Sequence, residues 1–208
     1  VLALFEIIGV AADSIVLQIS AKPLLVPTLI IYLFFSFVKT PGKKLIYTAL
    51  LFATLGDIFL LFEFMQPAFF MVGLGCFLLT HIFYIIFFFS IRSHQRSFYR
   101  KEPWWLILIY AYSFGLLILV YPGLGKLEIP VVAYAIVITV MMMASIHVLT
   151  KVNKPANKLY VTGAALFVLS DSLLAIDRFY HKFQLAGGAI KLTYCAAQFL
   201  IVLAFILH

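Results

Sequence analysis

The sequence predicts an all-α polytopic membrane protein with eight transmembrane helices, one integral membrane domain over residues 1–208. Three observations predict it. Of the 208 residues, 65% are hydrophobic and 11% charged, more apolar surface than a soluble domain of this size can hide. The apolar residues fall in runs of about 20, the length of helix that crosses roughly 30 Å of hydrocarbon. Charges, prolines and paired glycines gather between those runs.

The runs cover about 2–19, 22–38, 45–62, 67–89, 104–122, 130–149, 159–176 and 188–207. The first has no basic leader and no small-residue cleavage site, so it reads as a span and not as a signal peptide. Lys39-Thr40-Pro41-Gly42-Lys43-Lys44 ends the second. Pro67, Pro103 and Pro130 stand at or just before helix starts, where a missing N–H costs little. Gly187-Gly188 precedes the last span, and no loop is long enough to fold as a soluble domain.

Lys and Arg set the direction. Ten follow spans two, four and six: Lys39, Lys43, Lys44, Arg92, Arg96, Arg100, Lys101, Lys151, Lys154 and Lys158. Five lie on the other side: Lys22, Lys126, Arg178, Lys182 and Lys191. This bias predicts cytoplasmic termini in a multi-pass protein of a bacterial inner membrane or the endoplasmic reticulum. The net charge of +7 thereby orients helices against anionic lipid, and no nucleic-acid-binding motif accompanies it. Cys76 and Cys195 lie inside apolar runs and form neither a disulfide framework nor a metal cluster.

Two carboxylates break the pattern. Asp57 and Asp171 each lie 12 residues into a span, after Leu45 and Leu159, so both sit roughly 18 Å deep, slightly past the midplane. Asp13, Lys22, Glu63, Asp177, Arg178 and Lys191 fall near the outer ends of their spans, so polar groups converge on the non-cytoplasmic half. An offset of 114 superposes Asp57 on Asp171, Leu60 on Leu174 and Gly73 on Gly187. That suggests two parallel four-helix repeats; chance matching among apolar residues is the alternative.

An Asp at a helix centre costs roughly 2.5–3.5 kcal/mol on insertion scales. The functional reading is a pair of carboxyl groups in one wet cavity, in different protonation states. The bland reading is a structural contact, such as Asp57 with Ser170 or Lys191. His81 and Tyr84 share one face of span four and either orient a carboxylate or substrate or make a packed interhelical hydrogen bond. Tyr194 and Gln198, an i, i+4 pair in span eight, carry the same two readings. Lys22 and Lys191 either snorkel to the interface or, with Arg178, hold a phosphate. For Asp177 and Arg178 the bland reading is a local ion pair. Glu6, His94, His147, His181 and His208 read as structural. No HExxH, GxSxG or P-loop motif occurs and the histidines lack paired spacing, so no metal and no cofactor is expected. Ser170 adjoins Asp171, but helix neighbours do not face one another, so no serine triad is indicated.

"KPLLVPTLI" (22–30), "LGDIFLLF" (55–62), "FLLTHIFYI" (77–85), "LFVLSDSLLAIDRF" (166–179) and "LTYCAAQFLI" (192–201) together resemble the YhhN/TMEM86 family, the lysoplasmalogenases. The resemblance spans nearly the whole chain, in order. It implies eight spans and hydrolysis of the vinyl ether bond of lysoplasmalogens to a fatty aldehyde and glycerophosphoethanolamine or glycerophosphocholine. The family pattern falls on Lys22, Asp57, His81, Tyr84, Asp171, Asp177, Tyr194 and Gln198. Cys195 stands where some relatives have a second Tyr. The implied partners are a lysophospholipid substrate and membrane lipids, with no obligate protein partner. Vinyl ether hydrolysis needs a protonated acid, a negative group near the cation and one water, which two carboxyl groups supply by the logic of glycosidases. Asp57 and Asp171 are the expected catalytic pair, with Lys22, His81, Tyr84, Asp177, Lys191, Tyr194 and Gln198 expected around the substrate.

Two rivals remain. Thr54-Leu55-Gly56-Asp57 approaches the GxGD of intramembrane aspartyl proteases but lacks the first Gly, and no Pro-Ala-Leu follows Asp171. A proton-coupled transporter or lipid-binding protein also fits a repeat with membrane carboxylates.

Overall fold

A computed structural model describes residues 25–36, 41–91, 98 and 102–208. Among these residues all regular structure is helical. Seven helices follow in order: α1 Leu25–Phe35, α2 Lys43–Leu61, α3 Pro67–Ser90, α4 Trp104–Val120, α5 Glu128–His147, α6 Ala156–Phe179 and α7 Ala186–Leu207. Six helical segments are long and apolar enough to cross a membrane, and α1 is a shorter apolar helix. This is the architecture of a polytopic membrane protein. The first expected span, Lys22, and the loop residues Lys39, Arg92, Arg96, Arg100 and Lys101 lie outside the described residues.

Local chemistry sets the helix ends. Gly42 holds a left-handed conformation (φ 89°) before α2, and its carbonyl accepts from the Leu45 amide at 2.8 Å. A side chain with a Cβ adopts that φ reluctantly, so Gly42 fixes the entry into α2. At the end of α4, Tyr121–Gly123 tightens into a 3-10 turn containing Pro122.

Helices α5 and α6 differ from the sequence expectation at their ends. Helix α5 begins at Glu128, so Pro130 lies inside its first turn instead of opening it. First-turn amides have no intrahelical acceptor, and proline is tolerated there. Helix α6 begins at Ala156 and ends at Phe179, about a turn beyond the apolar run at each end, so Asp177 and Arg178 belong to the helix. Hydrophobicity marks where a span leaves hydrocarbon; the backbone ladder continues into the polar layer. Asn157 ties the extended start down, its Nδ2 donating to the Leu149 carbonyl at 2.8 Å.

The chain divides into two compact units, one ending at Phe87 within α3 and the other running from Phe88 to the C-terminus. In the first, α1 packs on α2 and α2 on α3. Phe52 stacks on Phe83 (5.6 Å, 11°), and Thr80 Oγ1 approaches the Ala49 carbonyl at 3.2 Å. In the second, α6 and α7 form the most extensive pairing, and α4 and α5 pack against α6.

Candidate functional site

Asp57 continues the packed face of α2. The buried residues Ile46, Ala49, Leu50, Ala53, Gly56 and Asp57 recur at helical spacing, and Asp57 is only 8% exposed. The facing stripe of α3 includes Phe70, Gly73, Phe77, Thr80, His81 and Tyr84. The two helices meet at glycines. A Cβ on Gly73 would stand 2.9 Å from Leu60 Cδ2 and 3.3 Å from the Gly56 carbonyl oxygen; one on Gly56 would stand 2.8 Å from the Phe77 ring. Asp57 therefore adjoins a close helix crossing. His81 and Tyr84, expected on one face, are both fully buried.

Asp171 has different surroundings. It is part-buried on α6, and Tyr134 of α5 donates from its hydroxyl to Asp171 Oδ2 at 2.7 Å. The next residue, Ser172, accepts from the Tyr112 hydroxyl of α4 at 2.8 Å and donates to the Val168 carbonyl at 2.7 Å. Adjacent helical residues point about 100° apart. The Asp171-Ser172 pair therefore engages two different helices, each through a tyrosine. A hydroxyl donated to a carboxyl oxygen satisfies one of its acceptor sites, which offsets part of the cost of burying a polar group within a span.

These four residues line a cavity of about 60 Å³ among α4, α5 and α6, room for a few waters. The rest of its wall is mostly apolar, including Leu116, Leu117, Val131, Ile138 and Ala175. Val120 and Val131 of this wall also belong to a packed cluster with Leu124, Leu127 and Phe179. There the chain passes so close that a Cβ on Gly123 would overlap the Phe179 carbonyl oxygen. The product is a carboxyl group hydrogen-bonded to a tyrosine beside a small, mostly apolar chamber.

The remaining expected site residues separate into local roles. Asp177 Oδ1 accepts from the Phe183 amide at 3.2 Å, which ties the loop after α6 to the helix end. Arg178 is exposed. Tyr194 sets its ring edge-on against Phe167 (5.4 Å, 81°), and Gln198 is fully buried one turn on. Lys191 is half-buried near the start of α7. Ser170 donates to the Ile190 carbonyl at 2.9 Å. Lys191, Tyr194, Gln198 and Asp177 are not among the described residues that line the Asp171 cavity. Sequence reasoning missed Tyr112, Tyr134 and Ser172. One signal was present: Tyr134 lies about 9 Å from the start of α5 and Asp171 about 12 Å from the end of α6, nearly level in consecutive helices.

A helical, polytopic protein with a hydrogen-bonded carboxyl group inside its apolar layer is the class these features define. The chain belongs to the YhhN family, whose profile matches residues 17–205. It is 27% identical over 168 residues to a protein named lysoplasmalogenase TMEM86A from Bos taurus, covering 79% of this chain and 66% of that protein. It is 30% identical over 165 residues to proteins named lysoplasmalogenase from Mycobacterium bovis and Mycobacterium tuberculosis, covering 78% of this chain and 60% of each. The chain thus spans 60–66% of the length of these curated relatives. No solved structure matches it.

Proposed function

We propose that this chain is a lysoplasmalogenase-like hydrolase that cleaves the vinyl ether of a lysophospholipid through Asp57 and Asp171. One observation carries the reading: Asp171, oriented by Tyr134 at 2.7 Å, lines a chamber with room for water inside an apolar bundle. The family relationship supplies the substrate class.

The chemistry balances as a simple hydrolysis. A protonated carboxyl delivers its proton to the β-carbon of the enol ether, and the C=C electron pair forms the new C–H bond. The oxocarbenium ion left behind is stabilised by the second, ionised carboxylate. Water adds to the cationic carbon and loses its proton to a carboxylate. The hemiacetal then breaks its C–O bond to the glycerol oxygen, which takes up a proton as the aldehyde carbonyl forms. One water is consumed and no electrons are transferred. Two carboxyl groups in different protonation states suffice, and a site acting this way gives a bell-shaped pH profile.

The test is purified protein in detergent with lysoplasmalogen, reading aldehyde release. Asp57→Asn and Asp171→Asn each abolish it in folded protein, and the double variant is no worse than either single one, because the two act as a unit. A wild-type protein that releases no aldehyde sinks the reading. So does near-wild-type turnover in either variant, for that residue.

The same proposal includes the full topology: one domain of eight spans with both termini and the loop at Lys154 cytoplasmic. In a background lacking Cys76 and Cys195, a cysteine at Lys154 resists an impermeant label applied to intact cells, while one at Lys126 reacts. The reverse pattern overturns the orientation.

A further inference from the structure

A second recess lies beside the Asp171 chamber. It is a groove of about 350 Å³ between α4 and α5, walled by Tyr110, Phe114, Val132, Ile136 and Val140. Ser113, Leu117 and Ala135 line both the groove and the chamber. The two spaces are therefore separated by one thin seam, and two of its three residues are small.

We infer that the α4–α5 groove is the seat of the substrate's hydrocarbon chain, entered sideways from the bilayer, with the Ser113–Ala135 seam leading the reacting end to Asp171. The occupant's class follows from the lining. Of the three hydroxyls in the wall, Tyr110 stands at the exposed rim and the other two are engaged with each other: Thr139 Oγ1 donates to the Ala135 carbonyl at 2.6 Å and shares a hydrogen bond with Ser113 Oγ at 2.8 Å. What remains toward the groove is aliphatic and aromatic, which suits an uncharged chain. The space exceeds that of a few waters, each occupying about 30 Å³ of liquid. A lateral entrance is available because α4 is the least buried of the six long apolar segments. Tyr110 and Phe114, 62% and 65% exposed and one turn apart, form its lip. Ser113, Leu117 and Ala135, shared by both walls, give the groove a direct border with the chamber that holds Asp171.

The inference rests on the hydrolase reading for its reacting end, and two measurements separate them. Ile136→Trp and Val132→Trp, which fill the groove without touching the chamber, are assayed with long-chain and short-chain lysoplasmalogens. Long-chain kcat/KM falls by about tenfold or more while the short-chain value changes little, the scale expected when hydrocarbon loses its pocket. Equal losses for both chains, or no change in either, overturn the groove. Separately, an alkyl lysophospholipid with a saturated ether and a photoreactive group in its tail is cross-linked to the wild-type protein. Adducts map to α4 and α5 peptides; adducts confined to other helices overturn the inference. This second readout needs no turnover. Adducts on α4 and α5 in a protein that releases no aldehyde uphold the groove while ending the hydrolase reading.

Discussion

The surroundings of Asp57 and of Asp171 differ more than their sequence contexts do. Each Asp lies about 21–22 Å along its helix from the start. Asp57 sits on a packed face beside Gly56 and Gly73, where the helices meet too closely for a side chain. Asp171 looks into a chamber and is gripped by a tyrosine. Equivalent placement along a helix therefore does not give equivalent solvation; the neighbouring helices decide it. The proposed repeat partners Gly73 and Gly187 show the same divergence. The first is jammed against Leu60, and the second faces open space. The structural contrast is one of surroundings: Asp171 borders a chamber, while Asp57 lies on a packed helix face.

That comparison is open to attack at several strengths. The largest effect belongs to the carboxyls themselves. Asp171→Asn lowers kcat for aldehyde release by about 10²–10⁴-fold, the usual worth of a positioned general acid or base. Asp57→Asn lowers it on the same scale, as the second member of one catalytic unit, and a much smaller drop there would make its role structural. Next, Tyr134→Phe removes the donor to Asp171 without changing the shape of the wall. It lowers kcat by about 10–100-fold with KM nearly unchanged, matching roughly 1.5–3 kcal/mol for a hydrogen bond to a charged group. An equal rise in KM would instead assign Tyr134 to substrate binding. The glycine contrast comes third and reads stability. Gly73→Ala forces Leu60 or the helix crossing to shift and destabilises the solubilised protein by about 1–3 kcal/mol, seen as a lower thermal midpoint. Gly187→Ala stays within about 0.5 kcal/mol, since nothing lies near its Cβ. Matching shifts in both would restore the symmetry of the repeat. The smallest effect is Tyr112→Phe, which breaks the bond to Ser172, one residue from the carboxyl. It lowers turnover by only a few-fold, about 0.5–1.5 kcal/mol. A loss as large as that of Tyr134→Phe would show that the α4 tyrosine, too, sets the carboxyl.

Much of this was legible in the chain. Apolar length marked the six long helices in order, because a backbone in lipid must satisfy its own hydrogen bonds and a helix of about 20 residues is the shortest way to do it. Asp57 and Asp171 stood out because a carboxylate in hydrocarbon is costly and so conspicuous. His81 and Tyr84 were correctly given one face, since helical periodicity alone settles that. Helix ends were less legible: Asp177 and Arg178 looked like interfacial loop residues, yet α6 runs on through them.

What the sequence by itself determined is the membrane class, the six long apolar helices and the odd carboxyl groups. All of these depend on one helix meeting its solvent. The tertiary structure alone decided which side chain grips Asp171, that Asp177 pins a loop, and that a chamber and a groove share the Ser113–Ala135 seam. Tyr134 in isolation is one more aromatic residue in a span, as apt to face lipid as a partner. Its meaning depends on how α5 is rotated against α6. That rotation is set by the packing of many small contacts across both helices, and no local stretch of sequence records it.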